Sequence, residues 1–339
     1  MATKGPYEGP EKLLIGIDCG TTSCESSPSE LGDPFLTPGS SSAAVSIAHL
    51  ALKSTPVIHS ITSWPEHPNE SKLPSLVSCD TSGRAVAFGA ECLTPGLKTR
   101  AHNEDPHLAE WFKLHLHPRL IQIETTATLA STLTLDRLSL DSTPKQIVPD
   151  FDVPPLPPNV TIDLVYSSFF KYVLENTRKW FVENTVGGEG IWRRLASSAE
   201  FVCGIPDGWD DVQQVILRKA FVPAGILEDV ECDWERLEFI GVAEASVHFA
   251  LKSNEVREWL EVRSAICGKD RESDSCSLQP GTHFTVADAG GSTVDVCMCA
   301  SLLVRRTERV SLLTPYFLRR RLRSDLSDRQ ASRGEALRL

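Results

Sequence analysis

Two short stretches of this 339-residue chain set an apolar strand against an aspartate, glycines and hydroxyl residues. One is LLIGIDCGTTSC, residues 13–24; the other is FTVADAGGSTVDVC, residues 284–297. Such a turn offers chemistry for phosphate. Glycine lets backbone N–H groups approach the anion closely, and threonine hydroxyls add donors. The aspartate suits magnesium, often through water, because that ion keeps much of its hydration. A single turn of this kind is more often structural than functional. Two of them, each ending an apolar strand, imply a phosphate chain clamped between two similar lobes.

The elements that must position these turns read as follows. Leu13 to Asp18 is a buried strand, and Ala43–Leu50 and Val57–Trp64 complete a three-strand meander. Between the first two strands, residues 24–42 are rich in Ser, Pro and Gly and form an atypical insertion, longer than a hairpin requires. Residues 121–160 are an irregular excursion ending in PPLPP. Asp163 to Asn184 is a helix, with Leu164, Val165, Phe169, Tyr172, Val173, Trp180 and Phe181 at helical spacing. EFVCGI, residues 200–205, is a strand. PDGWDDVQQVILRKAFVPAGIL follows as a helix, with Asp207 as a candidate N-cap and Gly225 near its end. Leu237–Val242 is a strand and Ala243–Leu251 a short helix. Phe284–Asp288 and Thr293–Cys297 form a hairpin. Strands alternating with amphipathic helices, plus a meander, give a mixed α/β fold.

Bulk composition is that of a soluble globular protein, with 41% hydrophobic and 23% charged residues. The chain is long enough for two lobes with separate cores. No window reaches the length of a membrane span, and residues 1–10 do not form a signal peptide. None of the ten cysteines stands in a CxxC pair, so zinc and dithiol redox chemistry are not indicated. Reduced thiols and a cytoplasmic location are therefore expected. The net charge of −11 divides into +6 for residues 301–339, which hold ten arginines, and −17 for the rest. The basic tail could meet nucleic acid or an anionic surface, but the acidic body argues against a general nucleic-acid binder.

IGIDCGTT and DAGGSTVD resemble the two phosphate motifs of the actin-like ATPase superfamily. Within it the chain is similar to the divergent seventy-kilodalton heat-shock-protein-like ATPases of fungi. WFKLHL (111–116), LPPNVTIDLVYSSFFKYVLENTRKWF (156–181), GIPDGWDDVQQVILRKAFVPAGIL (204–227) and GVAEASVHFAL (241–251) agree in order. The resemblance covers residues 13–23 and 43–299. It implies an actin-like (ribonuclease-H-like) α/β fold with two lobes. After a tail at 1–12, lobe I spans 13–255 and lobe II opens at 256–299, cut short before its adenosine-binding part. Residues 300–339 are an Arg-rich tail.

The resemblance implies an ATP-binding, chaperone-like ATPase using ATP and Mg2+, with protein clients or co-chaperones as partners, impaired by the missing adenosine wall. Asp18 and Asp288 would position magnesium from opposite lobes. Gly20, Thr21 and Thr22 would hold the terminal phosphates, and Gly290, Gly291, Ser292 and Thr293 would cradle them from the second lobe. Glu244 would orient or deprotonate the attacking water. Lys113 would bring positive charge to the terminal phosphate.

Other readings stand beside these. Glu244 also suits the first turn of any helix, Lys113 a snorkelling stem, and Asp295 a hairpin cap. His115 and His117 read as paired surface histidines rather than metal ligands. GIDCGTT also suits a sugar kinase of the same superfold, and the truncation suits an inactive interaction module. Codons for Cys24–Ser26 and for Cys297–Cys299 can contain intron-opening sequences, so the insertion and the tail also read as retained introns.

Overall fold

The structure is a computed structural model that describes residues 6–20, 42–94, 107–118, 153–228, 233–250, 283–289 and 294–300. Its centre is a mixed sheet. β1 (Lys12–Cys19) runs parallel to β10 (Glu200–Ile205), which runs parallel to β11 (Leu237–Gly241). On its other side β1 pairs antiparallel with β2 (Ser42–Leu50), and β2 with β3 (Ile58–Ser60) and β6 (Lys72–Pro74). The spatial order is β11-β10-β1-β2-β3, with β6 also on β2.

Alternation along these strands selects the buried face. Leu13, Ile15, Ile17 and Cys19 of β1 point the same way as Ala43, Val45 and Ile47 of β2 and Phe201, Cys203 and Ile205 of β10. Helices α2 (Ile162–Asn184) and α4 (Asp211–Phe221) supply the other half of that core. Phe170 of α2 meets Phe221 of α4 with ring centroids 4.3 Å apart, and Phe221 in turn meets Phe201 of β10 at 6.4 Å. Both Phe170 and Phe221 are fully buried, so truncating either to alanine removes about 3–5 kcal/mol of stability.

Local chemistry sets the helix ends. The Thr161 hydroxyl accepts from the Leu164 N–H at 3.3 Å and opens α2. α3 (Gly188–Leu195) follows α2 and packs on it. Asp210 opens α4: its carboxylate accepts from the Val212 N–H at 3.0 Å, while the Gln213 side chain accepts from the Asp210 N–H at 3.0 Å. This reciprocal pair is a capping box. It corrects the expectation that Asp207 is the cap. Asp207 lies one turn too early, in a separate turn described below.

A second correction concerns Val57–Trp64, which is not one strand. After β3 the chain turns inward at Ile61, which is fully buried and donates its N–H to the Val45 carbonyl at 2.9 Å. Pairing with β2 ends there, and Trp64 joins a two-stranded hairpin of β4 (Ser63–Trp64) with β5 (His67–Pro68). A further small sheet, β8-β7-β9, comprises β7 (Val77–Cys79), β8 (Ala85–Phe88) and β9 (His107–Ala109). It leads into α1 (Phe112–His115), whose Phe112 packs edge-on to Tyr166 of α2 at 5.1 Å.

α5 (Val242–Ala250) continues directly from β11 and packs against the antiparallel hairpin of β12 (His283–Ala289) and β13 (Val294–Ala300). Strands β1, β2, β10 and β11 and helices α2, α4 and α5 thus fall where the sequence reading put them, whereas β4 to β9, α1 and α3 are elements it did not list. Of the excursion at 121–160, residues 153–160 are described and contain no strand or helix. The insertion at 24–42 and the tail at 300–339 lie outside the described residues apart from Ser42, which opens β2, and Ala300, which is the last residue of β13 and so belongs to the hairpin rather than to the tail. Among the described residues no helix is long and apolar enough to cross a membrane.

Candidate functional site

Three parallel strands, β1, β10 and β11, end on the same edge of the sheet. In such sheets the carboxyl ends of the strands form the crevice in which ligands bind. Asp18 stands there near the end of β1, exposed, in register with Gly204 of β10. Its carboxylate lies across Gly204, where a Cβ would sit 3.2 Å from Oδ1. Gly20, just past β1, donates its N–H to the Ser42 carbonyl at 2.8 Å. That amide extends the β1–β2 ladder and is not directed at a phosphate.

Pro206 to Trp209 form a tight turn beyond β10, closed by the Trp209 N–H donating to the Pro206 carbonyl at 3.0 Å. The turn sends its two functional side chains in different directions. The Asp207 Oδ2 accepts from the Ala243 N–H at 3.2 Å, capping α5. Its Oδ1 occupies the space that a side chain on Gly241 would need, so any larger residue at the end of β11 would have to displace the Asp207 carboxylate. Trp209 turns toward α1, with its ring centroid 5.9 Å from the Lys113 Nζ.

Lys113 is only 8% exposed. A buried ammonium is costly unless paired, yet among the described residues Lys113 meets no carboxylate in an ion pair; its recorded contact is the Trp209 ring. The nearby Cys19 thiol offers no counter-charge. Burial pushes Cys19 up to about 12, with Lys113 pulling the other way and Asp18 adding to the rise. Burial likewise holds Cys203 and the Tyr166 hydroxyl well above their ordinary values. Lys113 is carried by a strained start to α1: Trp111 has φ 51 and ψ 25, the left-handed region. That conformation is a true outlier for a bulky side chain and marks functional sites more often than others.

Glu244 sits in the first turn of α5, with its side chain about one-third exposed and its Oε1 3.8 Å from the His248 Nε2. Its carboxyl is held above the usual range, first by burial and then by the charges of Glu238 and Asp207. A carboxyl raised in this way suits proton transfer.

The structure therefore brings Asp18 and Glu244 to the strand ends of one sheet. Lys113 and Asp18 both act on the Cys19 thiol, which places them around the end of β1. Asp288 lies in β12, paired in register with Asp295 of β13. Thr21, Thr22, Gly290, Gly291, Ser292 and Thr293 lie outside the described residues. His115 donates to the Pro154 carbonyl at 3.0 Å, a structural role. Among the described residues no three His, Cys, Asp or Glu side chains gather as a metal site.

Sequence reasoning missed Asp207 and Trp209. The signal that frees Asp207 was present: Asp210-x-x-Gln213 is a better capping box for α4 and leaves Asp207 available for another helix. No protein-family model matches the chain, and no curated protein matches it.

Proposed function

We propose that the chain binds a magnesium–nucleoside triphosphate at the carboxyl ends of β1, β10 and β11, as a chaperone-like member of the actin-like ATPases. The observation that carries this reading is Lys113, a nearly buried ammonium with no carboxylate partner among the described residues, held at the end of β1 near Asp18. An anion supplied from outside the chain would balance that charge. The sheet adds support. The mixed sheet, with β10 and β11 parallel to β1 and β2 antiparallel to it, is compatible with an α/β lobe of that kind.

The donor set fits magnesium rather than a metal needing a full protein cage. Magnesium takes one or two carboxylates and keeps water on its other positions, and among the described residues the strand ends offer the exposed carboxylate of Asp18 but no cluster of three metal-ligating side chains. When bound, the ion neutralises charge on the phosphate oxygens. Lys113 adds positive charge for the terminal phosphate, which phosphoryl transfer requires because its charge is spread over three oxygens. Asp18 would hold the hydrated ion through its carboxylate. Glu244 orients a water molecule and accepts its proton.

Titration with Mg-ATP tests the reading. Saturation at about 100 times Kd raises stability by ~2.7 kcal/mol, visible as a higher Tm. Lys113→Met keeps the apolar stem and removes the charge, and should abolish that rise. A wild-type melt unmoved by millimolar Mg-ATP, or an equal response in Lys113→Met, overturns it. Sugar-dependent release of ADP would transfer the site to a sugar kinase.

A further inference from the structure

We infer that the Pro206–Trp209 turn is a clamp that holds Lys113 and the Glu244-bearing helix in fixed relation, with Asp207 and Trp209 as positioning residues. The inference rests on the nucleotide-binding reading for its function, and on separate geometry for its existence.

The turn is anchored at both ends. Ile205 before it is buried in the sheet, and Asp210 after it is locked by the capping box with Gln213, itself buried. The Trp209-to-Pro206 hydrogen bond closes the four residues between. From this rigid base, Asp207 reaches α5 through the Ala243 N–H and over Gly241. Trp209 reaches α1 and places its ring face toward the Lys113 ammonium.

Each contact is supplied from outside the element it serves. A helix N-terminus is capped most simply by a residue of its own chain segment, but α5 is capped from 36 residues away. A buried lysine stem packs against any apolar group, but an ammonium gains from an aromatic face, and most from tryptophan. Because both side chains spring from one turn, any tilt of that turn moves the acid–base residue and the cation together. The distance between them is thereby set by one short, rigid segment rather than by three independent elements. Positioning of this kind matters because misplacement by an ångström is costly in catalysis.

The test uses the full chain and two readouts that do not depend on turnover. Lysine reactivity is measured by competitive acetylation with acetic anhydride, resolved residue by residue by mass spectrometry. Protection of the Ala243 and Glu244 amides is measured by hydrogen exchange. Trp209→Leu should raise Lys113 acetylation about threefold or more relative to the other lysines, while Trp209→Phe, which keeps a ring face, stays within about twofold of wild type. Asp207→Ala should speed exchange at Ala243 about fivefold, and Asp207→Asn, which keeps an acceptor, should restore protection.

The clamp also requires cross-talk. Trp209→Leu should speed exchange at Ala243, and Asp207→Ala should raise Lys113 acetylation, each by more than about twofold. Thermal melts establish that each variant is folded; Trp209→Met and Asp207→Ser replace any that is not. Effects confined to the nearer readout, or none, overturn the clamp. Mg-ATP protection of wild-type Lys113 is scored separately. If Lys113 responds to Trp209 and to Asp207 but not to Mg-ATP, the clamp stands and the nucleotide reading falls.

Discussion

Asp18 and Gly204 hold paired register positions on adjacent parallel strands, and the Asp18 carboxylate rests over the Gly204 backbone. A methyl group on Gly204 would sit 3.2 Å from the carboxylate oxygen, so Gly204→Ala has to push that oxygen aside by a few tenths of an ångström. The expected outcome is a change in stability within about 1 kcal/mol, since alanine also stiffens the unfolded chain. The response to Mg-ATP should fall much more than the stability does. Paired calorimetric melts with and without Mg-ATP measure both; an undiminished nucleotide response would show that Asp18 needs no fixed position.

Glu244→Gln should raise Tm at neutral pH. In the folded chain the Glu244 carboxyl titrates above its ordinary value of 4.5, because burial, Glu238 and Asp207 all oppose its charge. The folded state then binds its proton more tightly than the unfolded state, so stability is highest below the unfolded value and falls as pH rises through the folded one. The amide removes that loss. Wild type and variant should converge in acid and separate above the raised value. Curves that stay parallel from acid to neutral pH would show that the Glu244 carboxyl is not raised in the folded chain.

Tyr166→Phe tests the buried face beneath the site. The Tyr166 hydroxyl is buried without a hydrogen-bond partner among the described residues, and burial first, then the nearby Cys19 and Cys203 thiols, make it harder to ionise. Deleting an unsatisfied hydroxyl removes a desolvation penalty of about 1–3 kcal/mol but leaves a small void. The variant should be neutral to slightly more stable by chemical denaturation. A loss above about 2 kcal/mol would reveal a hydrogen bond to the hydroxyl, through an ordered water for instance.

Asp80 governs an acid-sensitive turn between β7 and β8. Its carboxylate accepts from the Ser82 hydroxyl and N–H and from the Arg84 N–H, with the Arg84 side chain 3.1 Å away. These partners, the Ser82 contact first, hold the Asp80 carboxyl below its usual range. Its contribution is therefore present above the unfolded value and disappears as pH falls through the lower folded value. Asp80→Ala should lower Tm at pH 7 and match wild type in strong acid; a constant gap at all pH would point to turn packing instead.

Much of the fold was legible because the β1, β2 and β10 segments alternate cleanly and α2 carries an unbroken apolar stripe. Val57–Trp64 misled because its composition favours a strand throughout, whereas Ile61 is drawn into the core and breaks the pairing. Asp18, Glu244 and Lys113 were visible as residue types following strands or opening helices. Asp207 and Trp209 were not, because their partners lie 36 and 96 positions away in sequence, and no local pattern encodes which helix a turn will cap. The burial of Lys113 was equally hidden, since a lysine among apolar neighbours reads the same whether its head meets water or a ring.

The parallel pairing of β1 with β10 has a consequence for how the chain is made. Lys12 and Glu200 meet at 2.6 Å although 188 positions separate them. On the ribosome β1 acquires β2 early, but its other edge waits while the segment up to β10 is synthesised, on the order of ten seconds or more at typical elongation rates. During that interval an apolar strand edge stands open to neighbouring nascent chains. Folding of this lobe thus depends on translation speed and on whatever shields that edge, and a polysome rather than the purified protein is where its failures would first be seen.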